Sequence, residues 1–127
     1  MRILAIDYGQ KKVGVALATS RLAEPHKVIR FSSSNTLIKE LREIIDEEQI
    51  EELVVGMSEG EMGKESKRFG EKLKIEFKLP LHYQDETLTT RKAQELSFEA
   101  GIKRKKRKEM EDAYSAALIL QEYLDSI

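Results

Sequence analysis

Two short apolar runs separated by a polar turn open the chain and constrain its fold. The first run, residues 3–6, ends at Asp7, and Gly9 follows before the second run, residues 13–18. This pattern predicts two strands joined by a tight turn, with Asp7 at the end of the first strand. A carboxylate at the end of a buried strand costs free energy unless it is paired or binds a cation. Asp7 is therefore either a metal ligand, directly or through water, or a turn residue bonded to its own backbone.

The composition allows one domain and excludes several kinds of site. A chain of 127 residues is too short for two full α/β lobes, so we expect a single domain over 1–127. Cysteine is absent, which excludes disulfides and thiolate metal sites, and two histidines alone cannot make a zinc site. No apolar run approaches the roughly 20 residues of a membrane span, and the first residues do not resemble a secretory signal. We therefore expect a cytoplasmic protein without membrane association.

Positive charge is concentrated in one segment of six consecutive residues. They are Lys103, Arg104, Lys105, Lys106, Arg107 and Lys108. This basic run carries +6, whereas the whole chain carries −1, so the remainder carries −7. Such a run on an acidic body favours contact with nucleic acid, and the alternative is a solvated loop. Lys11 and Lys12, in the turn after Asp7, are either further phosphate contacts or ordinary lysines of a hairpin tip.

The hydrophobic pattern predicts the element order β-β-β-α-β-α-β-α-α. Strands over 2–7, 13–18 and 25–31 form a meander. The cluster of residues 32–35 is suited to cap a helix of about three turns, whose apolar positions are 37, 38, 41, 44 and 45. The later predicted elements are a strand over 50–57, a loop reaching Gly63, a helix over 69–77, a strand over 81–84, a helix from Thr89 or Thr90 to Gly101, and a last helix after the basic run. This order gives an α/β fold in which helices flank a mixed five-stranded sheet with the first strand at its centre.

Acidic residues could meet at one edge of this sheet. Asp7 ends the first strand, Asp85 and Glu86 end the last strand, and Asp112 lies early in the last helix beside small residues. Taken singly, each acid has an ordinary explanation as a turn or solvent-facing residue. Together at a cleft beside the central strand they would repel one another unless divalent cations neutralised them. Mg²⁺ or Mn²⁺ suits such oxygen ligands, and two ions about 3.5–4 Å apart can promote phosphodiester hydrolysis by water.

Four sequence blocks together indicate a family. They are residues 6–16, 54–56, 85–90 and 112–120, which read IDYGQKKVGVA, VVG, DETLTT and DAYSAALIL. In order and spacing they resemble the YqgF/RuvX family of small nucleases with the ribonuclease H-like fold, over essentially the whole chain. The resemblance implies that Asp7, Glu86 and Asp112 are the catalytic, metal-binding acids, with Asp85 a fourth acid close by. It also implies processing of the precursor of small-subunit ribosomal RNA, or resolution of four-way DNA junctions.

Two segments depart from the family pattern. The loop after Gly56 usually carries Pro and Asn, whereas residues 58–63 here read SEGEMG. The arginine that usually follows the Asp-Glu pair is Thr87, which cannot bind a phosphate bidentately as arginine does. Arg91, one helical turn later, is the candidate replacement. These departures affect the expected binding and specificity for nucleic acid more than the expected binding of metal.

Other interpretations stay open at this level. Asp-x-Gly between two strands also opens actin-like ATPases and sugar kinases, although these close two lobes on a nucleotide and need a second phosphate loop. A nucleic-acid-binding module without catalysis would also account for the basic run. For a nuclease, we expect structured RNA as the substrate, with the four-way DNA junction as the alternative. The protein would be a monomer or a homodimer, and junction resolution requires the two-fold symmetry of a dimer.

Overall fold

The computed structural model describes residues 1–85 and 104–127. The elements in these ranges are β1 (Ile3–Tyr8), β2 (Lys12–Ala18), β3 (Ala23–Arg30), α1 (Ser34–Glu48), β4 (Glu52–Met57), α2 (Gly60–Phe77), β5 (Leu81–Asp85) and α3 (Arg104–Ser126). The helix predicted from Thr89 or Thr90 to Gly101 lies outside the described residues. So do three of the predicted site residues, Glu86, Arg91 and Lys103.

Within the described ranges the strands form one five-stranded mixed sheet in the order β3-β2-β1-β4-β5. The meander β1-β2-β3 is antiparallel, whereas β1, β4 and β5 run parallel to one another. The predicted mixed sheet and the central place of β1 are therefore confirmed. Because β1, β4 and β5 run in the same direction, their carboxyl ends lie at one edge of the sheet, which we call the carboxyl edge.

Hydrophobic cores lie on both faces of this sheet. Alternation along β1 sends Leu4 and Ile6 into a core with α1 and α2, whereas Ile3 and Ala5 enter a core with α3. Asp7 is in phase with Ile3 and Ala5, so its side chain extends from the α3 face of the sheet. The position of Asp7 thus follows from strand periodicity and the choice of which face α3 covers.

The helix caps explain where α1 and α2 begin and end. Ser33 caps α1, since its Oγ accepts a hydrogen bond from the Thr36 backbone N–H at 3.3 Å. This confirms the predicted cap, and α1 extends for 15 residues rather than three turns. At the end of α2, Lys78 adopts a left-handed conformation with φ 55° two residues before Pro80. The helix therefore ends where the proline predicted a break.

Two predicted boundaries were wrong. The loop predicted to reach Gly63 is shorter, because α2 begins at Gly60. Gly63 lies in the first turn of α2 against the Ser58 carbonyl, where a Cβ would come within 2.0 Å of the oxygen, so this glycine serves packing rather than a loop. The basic run was predicted to precede the last helix, yet α3 already begins at Arg104. Lys and Arg are strong helix formers, and residues 104–108 belong to the helix that carries Asp112.

Candidate functional site

Asp7 and Asp112 are brought to the same face and end of the sheet by Gly14. Asp7 pairs with Gly14 across the β1–β2 hairpin, so the two residues project toward the same face. A Cβ built on Gly14 would lie 1.9 Å from the Asp112 carbonyl oxygen and 2.8 Å from the Ala113 nitrogen. The backbone of α3 therefore lies directly on Gly14, at the level of Asp7. Glycine is required here by close approach, since any side chain would displace the helix.

Asp112 is partly buried and carries an unsatisfied oxygen. Its side chain is 29% exposed, and the Lys12 Nζ lies 2.9 Å from Oδ2 in an ion pair. The angles of this pair are not those of a hydrogen bond, and Oδ2 accepts none from the described residues. A buried carboxylate oxygen held only by an ammonium ion fits a divalent cation, because Mg²⁺ and Mn²⁺ favour hard oxygen ligands. Asp112 therefore offers one oxygen of the type that such an ion prefers.

Asp85 lies on the other face of the sheet. Asp85 pairs with Met57, and Leu81 pairs with Leu53 four residues earlier in each strand. Side chains four residues apart in a strand project to the same face, and both leucines belong to the core beneath α1 and α2. Its neighbours around a shallow cavity of about 300 Å³ are Met57, Ser58, Glu59 and Tyr83. Across residues 1–85 and 104–127, no three acidic or histidine side chains are placed to hold a metal ion. Asp7, Asp85 and Asp112 alone therefore do not form one, and the set completed by Glu86 stays a prediction.

The predicted basic contacts that lie in the described part of the chain fall on two elements near this edge. Lys11 is exposed in the β1–β2 turn, whereas Lys12 is engaged by Asp112 and so belongs to the site itself. Residues 104–108 form the first turns of α3 and place the backbone of the basic run about 6–12 Å along the helix axis before Asp112. Residues 104–108 and Asp112 therefore share one helix, a relation that the sequence prediction missed because it placed the run before the helix.

A second cationic surface, which the sequence analysis missed, lies on α2 at the same edge. Arg68 and Lys72 line a cavity of about 310 Å³ together with Tyr8, Ser34, Glu65 and Phe69. The Tyr8 ring stacks on Phe69 with centroids 4.4 Å apart. Burial, reinforced by the charge of Glu65, raises the pKa of Tyr8, so its phenol stays protonated near neutral pH. The signal for this surface was the spacing of Arg68 and Lys72 by four residues, which places both on one face of a helix.

Comparisons with known sequences identify relatives that match this chain over nearly its full length. The model of the RuvX family, described as Holliday junction resolvase, matches residues 1–126. A protein of Thermoanaerobacter pseudethanolicus named as a pre-16S rRNA nuclease is 38% identical, covering 99% of this chain and 97% of its own. One of the same name from Streptococcus thermophilus is 39% identical, covering 98% of each chain.

Comparison with solved structures confirms the ribonuclease H-like fold. The Fowlpox virus resolvase in complex with Holliday junction DNA matches with a TM-score of 0.68 at 12% identity, covering 99% of this chain and 98% of that one. T. thermophilus RuvC in complex with a Holliday junction substrate matches with a TM-score of 0.64 at 15% identity, covering 99% and 94%. Among the described residues no helix is long and apolar enough to cross a membrane. The match over residues 1–126 and the full-length relatives show that this chain belongs to the RuvX family.

Proposed function

We propose that this protein is a metal-dependent nuclease that hydrolyses phosphodiester bonds of structured RNA, with the precursor of 16S ribosomal RNA as its substrate. Relatives that match over nearly the full length of the chain are named as pre-16S rRNA nucleases, and the description of the family model, Holliday junction resolvase, is also that of a nuclease. The observation that carries the proposal is the contact of α3 with Gly14, which sets the partly buried Asp112 on the face and at the level of Asp7.

In this proposal Asp7, Glu86 and Asp112 would hold two ions, either Mg²⁺ or Mn²⁺. When bound, these ions lower the pKa of water and stabilise the charge of the leaving oxygen. Asp7 projects from the central strand, so its backbone is held in place by neighbouring strands on both sides. Asp112 is fixed by the packing of α3 on Gly14. Asp85 lies on the face of the sheet that α1 and α2 cover, opposite to Asp7, and we leave it out of the direct ligands.

When no metal is bound, the Lys12 ammonium neutralises the charge of the Asp112 carboxylate. Lys12 therefore competes with the metal ion for this carboxylate. We expect Lys12→Gln to bind Mn²⁺ about two- to fivefold more tightly, since removing the ammonium of a partly exposed pair relieves an interaction of up to about 1 kcal/mol. Isothermal titration calorimetry with MnCl₂ measures this change. Lys11→Gln, next along the turn and exposed, is the matched control and should bind Mn²⁺ as the unmodified protein does. Equal affinities for all three proteins would show that Lys12 does not screen the site.

The basic run, residues 103–108, would bind the phosphate backbone without reading the nucleotide sequence. Replacing residues 103–108 by glutamine, which keeps helix propensity, should weaken RNA binding and flatten its dependence on salt. Each lost phosphate contact removes about 0.7–0.9 from the slope of log K against log salt concentration. Fluorescence anisotropy between 50 and 200 mM salt measures the slope, and Lys39→Gln on the exposed side of α1 is the control. A slope equal to that of the unmodified protein would remove this run from the interface.

Resolution of Holliday junctions is the second candidate function. The description of the family model and the junction complexes of the two structural relatives favour it. Incubating the purified protein with a pre-16S RNA fragment and with a four-way DNA junction, each with and without Mn²⁺, separates the two functions. Single cuts in the RNA alone support the proposal, whereas paired symmetric cuts in the junction support resolution. Absence of metal-dependent cutting in either substrate would leave a binding module.

A further inference from the structure

Ser115 on α3 carries a buried hydroxyl whose hydrogen bond is unused. The residue is 1% exposed, and its Oγ has no hydrogen-bond partner in the described part of the chain. A helical serine commonly donates to the carbonyl four residues earlier, as Ser66 of α2 does to Met62 at 2.9 Å. Burying a hydroxyl without a partner is unfavourable, so an unsatisfied group at a functional edge requires an explanation.

The position of Ser115 on α3 places it beside Asp112. Residues three apart in a helix lie on the same side, with their Cβ atoms about 5–6 Å apart. The same side carries Ile119, which packs in the core with Val54 of β4, and Tyr123, whose ring lies 5.2 Å from that of His82 in β5. Ser115 therefore faces the half of the sheet formed by β1, β4 and β5. α3 also contacts β3, where the Ala23 backbone N–H donates a hydrogen bond to Gln121 Oε1 at 3.0 Å.

Two unsatisfied buried oxygens thus lie one helical turn apart, Asp112 Oδ2 and Ser115 Oγ. The carboxylate only accepts hydrogen bonds, whereas the hydroxyl can donate. One water molecule can donate to the first and accept from the second, and two hydrogen bonds of about 2.8 Å span the separation expected for residues three apart. Lys12 approaches Oδ2 as an ion but does not supply this hydrogen bond.

We propose that Ser115 is a positioning residue of the nuclease site, and that its hydroxyl and the Asp112 carboxylate together hold one water molecule there. This inference rests on the proposed function. The neighbours of Ser115 on the buried side of α3 are alanines at positions 113, 116 and 117. A position with only a packing role would accept alanine equally well, since alanine has the higher helix propensity and leaves no unsatisfied hydroxyl.

Ser115→Ala tests the inference because stability and function should change in opposite directions. We expect its melting temperature to equal or exceed that of the unmodified protein, whereas kcat for RNA cleavage falls about 10- to 100-fold with little change in KM. The control is Ser66→Ala, which removes a buried serine hydroxyl from α2 and should keep kcat. An unchanged kcat in Ser115→Ala, or parallel losses of kcat and melting temperature, would overturn the positioning role.

A crystal structure decides the inference separately from activity. We expect an ordered water within about 3.2 Å of both Ser115 Oγ and Asp112 Oδ2, and its loss in Ser115→Ala. Ser115 Oγ bonded to a protein carbonyl, with no such water, would overturn the inference. If the unmodified protein cuts neither RNA nor junction, the proposed function fails, while the presence or absence of this water still decides whether the two oxygens share a ligand.

Discussion

Asp7→Asn is expected to abolish metal-dependent cleavage while leaving the fold intact. The substitution keeps the size of the side chain and removes its charge, so the metal loses a ligand at the end of β1. Changing even an outer-shell partner of a metal ligand costs about 10- to 100-fold in affinity or activity, so losing the ligand should cost at least about 100-fold. The backbone pairing of β1 with β2 and β4 does not involve the carboxylate. Single-turnover cleavage of structured RNA with Mn²⁺ measures the loss.

The matched control is Asp46→Asn, at an exposed position of α1. This variant should cut RNA at the unmodified rate, and both variants should give the far-UV circular dichroism of the unmodified protein. Cleavage by Asp7→Asn within a few fold of the unmodified rate would show that the nuclease centre lies elsewhere. Cleavage that persists without added metal in every preparation would instead reveal a contaminating nuclease.

Gly14→Ala is expected to damage both stability and activity. Its Cβ would lie 1.9 Å from the Asp112 carbonyl oxygen and 2.1 Å from the carbonyl carbon. These are backbone atoms, so no side-chain rotation relieves the clash, and α3 must move away from the sheet. Overpacking costs about 1–3 kcal/mol and sometimes more, so we expect the melting temperature to fall by about 10 °C. Displacement of α3 also separates Asp112 from Asp7, so cleavage should be lost even below the melting temperature.

Gly70→Ala is the control for this substitution. A Cβ on Gly70 would also come close, at 2.6 Å from the Tyr83 hydroxyl oxygen, but this neighbour is a side chain that can shift. Alanine also gains about 1 kcal/mol over glycine inside a helix, which offsets part of the contact. Thermal unfolding followed by circular dichroism compares the variants. Similar melting temperatures for Gly14→Ala and the unmodified protein would contradict the close approach of α3 to β2.

Much of the fold could be predicted from the sequence because periodicity is a local property. The apolar runs around Asp7 predict a hairpin, and the later alternation of strands and helices gives the parallel half of the sheet. The start of α2 was missed because Gly60 and Gly63 are typical of loops, whereas here Gly63 packs against Ser58. The start of α3 was missed because a run of like charges suggests a separate solvated segment, although lysine and arginine favour helix.

The candidate site was predicted in part, because its residues belong to separate elements. The predicted strand ends placed Asp7 and Asp85 correctly along their strands. Strand periodicity shows that the two side chains project to opposite faces of the sheet, but only once it is known which helices cover each face. The ion pair of Lys12 with Asp112 depends on how α3 lies across β2, which no local pattern specifies. The unsatisfied hydroxyl of Ser115 is also a property of packing, since its sequence context is that of a core helix.

Anomalous diffraction from crystals soaked in MnCl₂ tests the central claim most directly. We expect manganese peaks at the carboxyl edge, with carboxylate oxygens of Asp7, Glu86 and Asp112 within about 2.0–2.3 Å, and we expect these peaks to be lost in Asp7→Asn. Manganese bound elsewhere, with the carboxylates of Asp7 and Asp112 directed away from each other into solvent, would contradict it.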